Sequence, residues 1–295
     1  MLKIGSLCTG YGGLDMAVEA FFDAETVWTS DIDKYASIVI QERIKKPNLG
    51  DLKAIDWTRV EPIDILTAGY PCQPFSHAGQ RKGLEDDRHI FPNILEAIST
   101  LRPRWVVLEN VRGHLSLGFK EVLKGLAENG YDARWRVVRA SDAGAPHQRA
   151  RLFIIAYPVD SRCSQGNTIG SKSSQSKSSD NGCLADSNCC TCSQSRRDFD
   201  ALQRKSREIK DQTNWDEYRF SVEMDRQTIP DTLDQGRLNP KFVEYMMGLK
   251  PGWVTDLPLT RTHMLKILGN GVVPQQAYLA LQLLVGDEIV DNTRL

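Results

Sequence analysis

The chain has 295 residues, of which 41% are hydrophobic and 25% charged, and its formal net charge is −1. This length predicts one catalytic domain with a smaller appendage and a full hydrophobic core. No apolar stretch approaches the roughly 20 residues of a membrane span, no signal-peptide region follows Met1, and seven cysteines suit a reducing compartment, so we expect a cytoplasmic protein. The net charge does not exclude nucleic acid as a partner, because a local basic face is enough to bind phosphates.

The first thirty residues predict a strand, a glycine turn and a helix. An apolar run over residues 3–7 leads into Gly10, Gly12 and Gly13, after which apolar residues recur at helical spacing. A second β-type run ends at Asp31, about 20 positions after the turn, where the ribose of a nucleotide-like cofactor would offer its hydroxyls. The glycine spacing is not the one that binds a diphosphate, so it favours S-adenosylmethionine; a plain β-turn-α connection is the alternative.

The loop after the apolar run 63–68 carries the candidate nucleophile. Cys72 lies between Pro71 and Pro74, and each proline fixes its own φ and restricts the residue before it. A thiol on such a predetermined backbone suits covalent chemistry. A buried cysteine in a tight turn is the alternative.

A fourth predicted strand brings an acid to the same edge of the sheet. The continuous apolar run 105–108 is typical of a buried parallel strand, and Glu109 follows it directly. In open α/β sheets the ligand lies outside the carboxyl ends of the strands. We therefore expect Asp31, the Cys72 loop and Glu109 to face one crevice.

Three more charged residues lie in loops near this crevice. Asp51 can accept a hydrogen bond from an adenine amino group, or it can cap a helix or turn. Arg149 and Arg151 precede the predicted strand 152–156, and a period of two places them on one side. There they would donate to a phosphate or a base carbonyl; a solvated strand end is the alternative.

Taken together and in order, these motifs resemble those of the cytosine-C5 DNA methyltransferases, and the resemblance covers nearly the whole chain. The matching segments are residues 6–15 for the cofactor motif, Asp31 and Asp51 for the cofactor acids, 69–76 for the nucleophile loop, Glu109-Asn110-Val111, Arg149-Ala150-Arg151, 237–253 for the brace of the recognition domain, and 269–274 for the final motif. So many motifs in one order are far more specific than any one of them.

The resemblance implies a Rossmann-like α/β methyltransferase fold with a mostly parallel sheet and a smaller inserted target-recognition domain. The expected catalytic and cofactor-binding domain is 1–158. The recognition domain is 159–263, with a variable part over 159–236 and a bracing segment over 237–257. The segment 264–295 supplies the last helix and completes the catalytic domain.

The resemblance also assigns roles to the candidate site residues. Cys72 adds to C6 of a flipped-out cytosine, Glu109 binds N3, Arg151 holds the base carbonyl and Arg149 supports the loop. The implied cofactor-binding residues are Cys8, Gly10, Tyr11, Gly12, Gly13, Asp31, Ile32, Asp51, Leu52, Pro71, Ile90, Asn270 and Val272. The implied DNA-binding residues are Gln73, Ser76, Arg81, Lys82, Arg88, Arg196, Arg197 and Arg204.

Two positions depart from the family pattern, and a group of five cysteines raises the question of a metal site. Cys8 stands where an aromatic residue usually stacks on the adenine, and His89 stands where a glycine is usual, which bears on the contact predicted for Ile90. Five cysteines of the recognition region lack the second C-x2-4-C pair of a zinc site, so no metal is predicted. They are Cys163, Cys183, Cys189, Cys190 and Cys192.

The implied substrate is a specific sequence of duplex DNA, methylated by a monomer in the bacterial cytoplasm, encoded by a bacterium or a phage. A restriction endonuclease acting on the same site is the candidate partner. A tRNA cytosine methyltransferase is the nearest alternative, but its Cys-Phe-Thr signature does not occur here. A catalytically silent, base-flipping DNA-binding protein and a nucleotide-dependent dehydrogenase are the alternatives from other classes.

Overall fold

The computed structural model describes residues 1–71, 90–159 and 229–286. Its strands are β1 (Leu2–Leu7), β2 (Ala24–Ser30), β3 (Ile65–Gly69), β4 (Trp105–Val111), β5 (Tyr131–Val138), β6 (Arg151–Pro158), β7 (Leu233–Asp234) and β8 (Arg237–Leu238). Its α-helices are α1 (Gly13–Phe22), α2 (Lys34–Val39), α3 (Phe91–Leu101), α4 (Phe119–Glu128), α5 (Pro240–Met246), α6 (Arg261–Asn270) and α7 (Pro274–Gly286), and a π-helix (Ile40–Ile44) continues α2. Within these ranges no helix is long and apolar enough to span a membrane.

Six strands form one sheet in the order β2-β1-β3-β4-β6-β5, and β7 and β8 form a separate hairpin. Strand β6 is antiparallel to both of its neighbours, while the pairs among β2, β1, β3 and β4 are parallel. The predicted mostly parallel sheet is therefore confirmed. The carboxyl ends of β2, β1, β3 and β4 lie along one edge, which is the edge that carries the candidate site.

Neighbouring residues of the central strands point into two different cores. Ile65 and Val107 belong to the core that contains α1 and α7, whereas Leu66 and Val106 belong to the core under α3 and α4. This alternation is the period of two of a β-strand with both faces buried. It explains why β4 is an unbroken apolar run up to Glu109.

The C-terminal part of the described chain packs against the glycine turn. A third core joins Tyr11 to Val254, Ile267 and Val273, and the Trp253 Nε1 donates to the Tyr11 carbonyl at 3.0 Å. The segment 264–295, predicted to supply the last helix of the catalytic domain, is described as far as residue 286. Two helices, α6 and α7, are separated by 271–273, because Pro274 cannot donate a backbone N–H and begins a new helix. The boundaries of the recognition domain stay a prediction, since 160–228 lie outside the described residues.

Candidate active site

A cavity of 610 Å³ opens at the carboxyl edge of the sheet, and most of the predicted site residues that the structure describes line it. Its wall is formed by the turn after β1, the residues that follow β2, the segment 50–53, the end of β3, the end of β4 and the segment 266–272. Of the predicted cofactor residues, those in the wall are Cys8, Gly10, Gly13, Asp31, Ile32, Asp51, Leu52, Pro71, Ile90, Asn270 and Val272.

The glycine turn supports the cavity from two sides. Gly10 has a φ of +59° and nothing within 4 Å of the position where a Cβ would be. A Cβ on Gly13 would lie 2.0 Å from the Val272 carbonyl oxygen, so this position requires glycine for close approach. Tyr11 and Gly12, also predicted as cofactor residues, are not in the described wall, and their cofactor role stays a prediction. The Tyr11 ring is turned into the protein, where its hydroxyl donates to the Val272 carbonyl at 2.7 Å.

The cavity end at β2 is formed by acids that bind backbone N–H groups. Asp31 accepts from the Gly10 N–H and the Asp33 N–H, both at 2.8 Å. Burial raises the pKa of Asp31, and these two N–H groups oppose the rise. Asp51 accepts from the Lys53 N–H at 3.0 Å and caps a short 3-10 helix, so the capping alternative holds for it while it also lines the cavity. Ile32 is 75% exposed, which leaves an apolar surface at the mouth.

The cavity end at β4 holds an ion pair between the buried Glu109 and the half-buried Arg151. The Arg151 Nε lies 3.0 Å from the Glu109 Oε1, and the antiparallel register of β4 and β6 brings the two residues together. Burial raises the pKa of Glu109 to about 7, although Arg151 and Arg149 act to lower it. A carboxyl group of this kind exchanges a proton near neutral pH, which suits general acid-base chemistry.

Arg149 does not share this position. Strand β6 begins at Arg151, so the period of two that predicted both side chains on one side does not extend to Arg149, whose φ is +28°. Its Nη2 donates to the carbonyls of Gly269 and Gly271 at 2.8 and 2.7 Å. The described cavity wall does not include Arg149, which braces the segment that closes the cavity.

The sequence profile of the C-5 cytosine-specific DNA methylase family matches residues 2–239. The chain belongs to this family. It is 38% identical over 165 residues to the Type II methyltransferase M.Bsp6I of Bacillus sp. (strain RFL6), a match that covers 53% of this chain and 52% of that protein. It is 36% identical over 162 residues to the Type II methyltransferase M.NgoBI of Neisseria gonorrhoeae, covering 53% and 51%. The chain thus spans about half the length of the curated relatives it matches.

The fold is also that of solved methyltransferases. The S. pombe Dnmt2 methyltransferase superposes with a TM-score of 0.60 at 19% identity, covering 97% of this chain and 98% of that chain. At this identity the likeness concerns the fold alone. It agrees with the mostly parallel sheet and the flanking helices described above.

Contacts that sequence reasoning missed hold the segment before the predicted nucleophile. The Asn110 Nδ2 donates to the Tyr70 carbonyl at 3.2 Å, and the Tyr70 hydroxyl lies 3.0 Å from the buried His114 Nε2. Asn110 belongs to the Glu-Asn-Val motif of the family, which was a signal for its importance. Nothing in the spacing of Tyr70 and His114 indicated their contact.

The remaining predicted site residues lie outside the described residues, so their roles stay predictions. They are Cys72, Gln73, Ser76, Arg81, Lys82, Arg88, Arg196, Arg197 and Arg204. The same holds for the cysteines of the recognition region, Cys163, Cys183, Cys189, Cys190 and Cys192. In the described ranges no group of three or more His, Cys, Asp or Glu side chains is arranged to hold a metal ion.

Proposed function

We propose that this member of the C-5 cytosine-specific DNA methylase family transfers a methyl group from S-adenosylmethionine to C5 of a cytosine in duplex DNA, through a covalent bond to Cys72. The observation that carries the proposal is the Glu109–Arg151 pair, which lies in the same cavity as Asp31. One end of the cavity thus suits an adenosyl group, and the other suits a base that must be held and protonated.

The residues of the cavity fit the cofactor that the family implies. Asp31, held at the end of β2 by two backbone N–H groups, is suited to accept from ribose hydroxyls. Exposed Ile32 offers an apolar surface to a purine ring, and the open space beside Gly10 admits a ligand close to the backbone. Bound here, the cofactor supplies an electrophilic methyl group.

In the proposed reaction Cys72 makes the ring carbon nucleophilic. Its thiolate forms a bond to C6, and the electrons of the C5–C6 double bond move towards C5 and N3. A free thiol of pKa about 8.5 is mostly protonated at neutral pH, so a cation in the cavity, such as Arg151, would favour the thiolate. C5 would then take the methyl group as the bond between that group and the cofactor's sulfur breaks. Loss of the C5 proton to a base in solution re-forms the C5–C6 double bond and releases Cys72 as a thiolate.

Glu109 and Arg151 act on the base itself. The protonated carboxyl of Glu109 donates a hydrogen bond to N3 and limits the negative charge that develops there. Its pKa of about 7 leaves this form populated at neutral pH. Arg151 donates to the base carbonyl and keeps Glu109 oriented through the 3.0 Å contact. General acid-base assistance of this kind contributes about 100- to 10,000-fold to a rate.

The proposed substrate setting follows from the chemistry and the relatives. C6 of a stacked cytosine is unreachable, so the base is turned out of the duplex at a cost of a few kcal/mol. The DNA contacts predicted in 73–88 and 196–204 offset this cost. The named relatives are bacterial Type II methyltransferases, which supports a bacterial cytoplasm and a cognate restriction endonuclease. We propose a monomer as the working form.

Methyl transfer to DNA, followed by identification of the labelled nucleoside, tests the proposal. The protein, a Cys72→Ala variant and a matched Cys190→Ala variant are incubated with duplex DNA and radiolabelled S-adenosylmethionine. We expect label in 5-methylcytosine for the wild type and for Cys190→Ala, and none for Cys72→Ala. Label that survives in Cys72→Ala would contradict the proposed nucleophile.

The alternatives are tested by repeating the assay with RNA and by measuring the binding of DNA and of each cofactor. Label in RNA but not in DNA would replace the substrate with RNA and favour the tRNA methyltransferase. Saturable DNA binding without detectable binding of S-adenosylmethionine would favour the silent base-flipping protein. Binding of a nicotinamide dinucleotide in place of S-adenosylmethionine would favour the dehydrogenase.

A further inference from the structure

A buried carboxylate in the cavity wall has no role in the mechanism above. Asp15, in the first turn of α1, is 4% exposed and lines the cavity. Its Oδ2 accepts from the Ser6 hydroxyl at 2.8 Å, and its Oδ1 accepts from the Thr67 hydroxyl. The Ser6 Oγ lies 2.9 Å from the Thr9 Oγ1, so the polar group extends to the glycine turn.

The partners of Asp15 are hydroxyl groups, and its charge is not balanced in the described part of the chain. The charged group that acts on it there is the Glu19 carboxylate, which adds to the negative potential. Burial raises the pKa of Asp15 to about 6, and the hydrogen bonds from Thr67 and Ser6 oppose the rise. A buried carboxylate without a cation is costly, and a cationic ligand beside it removes that cost.

The sheet places Asp15 midway along the cavity. Ser6 lies on β1 and Thr67 on β3, and these are the two strands between β2, which precedes Asp31, and β4, which carries Glu109. A ligand whose ribose lies at Asp31 and whose methyl group reaches the base at Glu109 must pass over Asp15. The sulfonium lies on this path, and the methionine branch that leaves it carries a positive α-ammonium and a negative α-carboxylate, so the methionine half has a net positive charge.

We propose that Asp15, held by Ser6 and Thr67, is the counter-charge for the cationic methionine half of S-adenosylmethionine. The inference rests on the proposed function for the identity of the cofactor. By this inference, Asp15 makes the protein bind positively charged adenosyl ligands more tightly than neutral ones. The adenosine half is bound at the other end of the cavity and does not depend on this residue.

The test is a calorimetric titration with three ligands that differ in charge. S-adenosylmethionine has both cations, S-adenosylhomocysteine has the ammonium alone, and 5′-methylthioadenosine has neither. Each is titrated into the wild type, Asp15→Asn and Glu19→Gln, where Glu19→Gln makes the same charge change one turn along α1 outside the cavity wall. The amide of Asp15→Asn can still bond to the neighbouring hydroxyls, so the change removes mainly the charge.

We expect Asp15→Asn to bind S-adenosylmethionine roughly 10- to 100-fold more weakly and 5′-methylthioadenosine with unchanged affinity. An equal loss for S-adenosylhomocysteine identifies the ammonium as the partner, and no loss identifies the sulfonium. Glu19→Gln should bind all three ligands as the wild type does. Equal affinity of Asp15→Asn and wild type for S-adenosylmethionine would overturn the inference. So would an equal loss for all three ligands, which would mean a structural role.

Further measurements distinguish a failure of this inference from a failure of the variant to fold and from a failure of the proposed function. The melting temperature of ligand-free Asp15→Asn should equal or exceed that of the wild type, because an unbalanced charge has been removed. If this variant does not fold, carboxyl-carbon NMR of the wild type replaces it: S-adenosylmethionine should lower the pKa of Asp15, and an unchanged or higher pKa would overturn the inference. If the wild type binds no S-adenosylmethionine, the proposed function itself is contradicted.

Discussion

The two ends of the cavity use the same chemical group in different ways. At the β2 end, the Asp31 carboxylate accepts from two backbone N–H groups that the turn and the start of α2 hold in place. At the β4 end, the Glu109 carboxyl is buried beside the side chain of Arg151. Burial raises the pKa of both carboxyls, and at Glu109 it raises it to about 7.

The difference separates binding from proton chemistry. A carboxylate bound by fixed backbone donors is suited to recognise hydroxyl groups in one protonation state. A buried carboxyl beside a guanidinium, with a pKa near neutral, is suited to donate or accept a proton during a reaction. Substitutions at the two ends should therefore change different measured quantities.

The largest expected effect is on turnover at the β4 end. Glu109→Gln removes the acidic proton but keeps the size of the side chain, so we expect kcat for methyl transfer to fall by about 100- to 10,000-fold with little change in cofactor affinity. Steady-state kinetics with labelled cofactor measures both. Glu96→Gln, at an exposed position of α3, is the control and should leave both unchanged. If kcat fell by less than tenfold, the assignment of proton chemistry to the β4 end of the cavity would be contradicted.

Next in size is the pH dependence of stability that Glu109 contributes. Its pKa is raised in the folded protein from an ordinary value of 4.5 to about 7, so its contribution is fully present below about pH 4.5 and is lost as the pH rises through 7. At 1.36 kcal/mol per pKa unit the loss is about 3 kcal/mol. Urea unfolding between pH 5 and 8 should show the free energy of unfolding of Glu109→Gln rising relative to that of the wild type. If the free energies of unfolding of the two proteins changed in parallel with pH, the raised pKa of Glu109 would be contradicted.

At the β2 end, Asp31→Asn should change binding. The amide loses the charge that accepts from ribose hydroxyls, so we expect the KM for S-adenosylmethionine to rise about tenfold while kcat stays within a factor of about two. Initial rates at several cofactor concentrations separate the two parameters. A fall in kcat at unchanged KM would mean that Asp31 takes part in the chemical step.

The smallest effect concerns the exposed ion pair beside this end. The Lys266 Nζ lies 2.6 Å from the Asp33 Oδ2, and the lysine side chain is 55% exposed. Pairs of this kind contribute about 0 to 1 kcal/mol and are screened by salt. Lys266→Ala should therefore lower the melting temperature by at most a few degrees at low salt, and by less in 1 M salt. A large loss that persists at high salt would assign Lys266 a structural role.

The sequence predicted those parts of the fold and the site that depend on local patterns. The glycine turn with Asp31, and the buried strand that ends at Glu109, follow from chain spacing and strand period. The resemblance implies a cofactor role for Tyr11, but the pattern of a turn does not say which way its side chain points. The inward direction of the Tyr11 ring requires glycine at position 271, because a Cβ there would lie 1.8 Å from the ring.

The features that the sequence could not predict depend on contacts between distant segments. Arg149 lies outside the cavity wall because the carbonyls of Gly269 and Gly271 bind its side chain across more than a hundred residues of sequence. Asp15 did carry a local signal. It is a charged residue on the same helix face as Phe22, which lies seven positions later. Its partners on β1 and β3 become neighbours only when the sheet forms, so their identity could not be predicted from spacing.

The most direct test of the proposed chemistry is to trap the bond between the protein and the base. In DNA with 5-fluorocytosine in place of cytosine, fluorine cannot leave C5 as the proton does, so the step that releases the sulfur is blocked. We predict an adduct that survives denaturation in the presence of S-adenosylmethionine, maps by mass spectrometry to the peptide containing Cys72, and is absent in Cys72→Ala. An adduct on another cysteine, or none from protein that binds the cofactor and the DNA, would contradict the proposal.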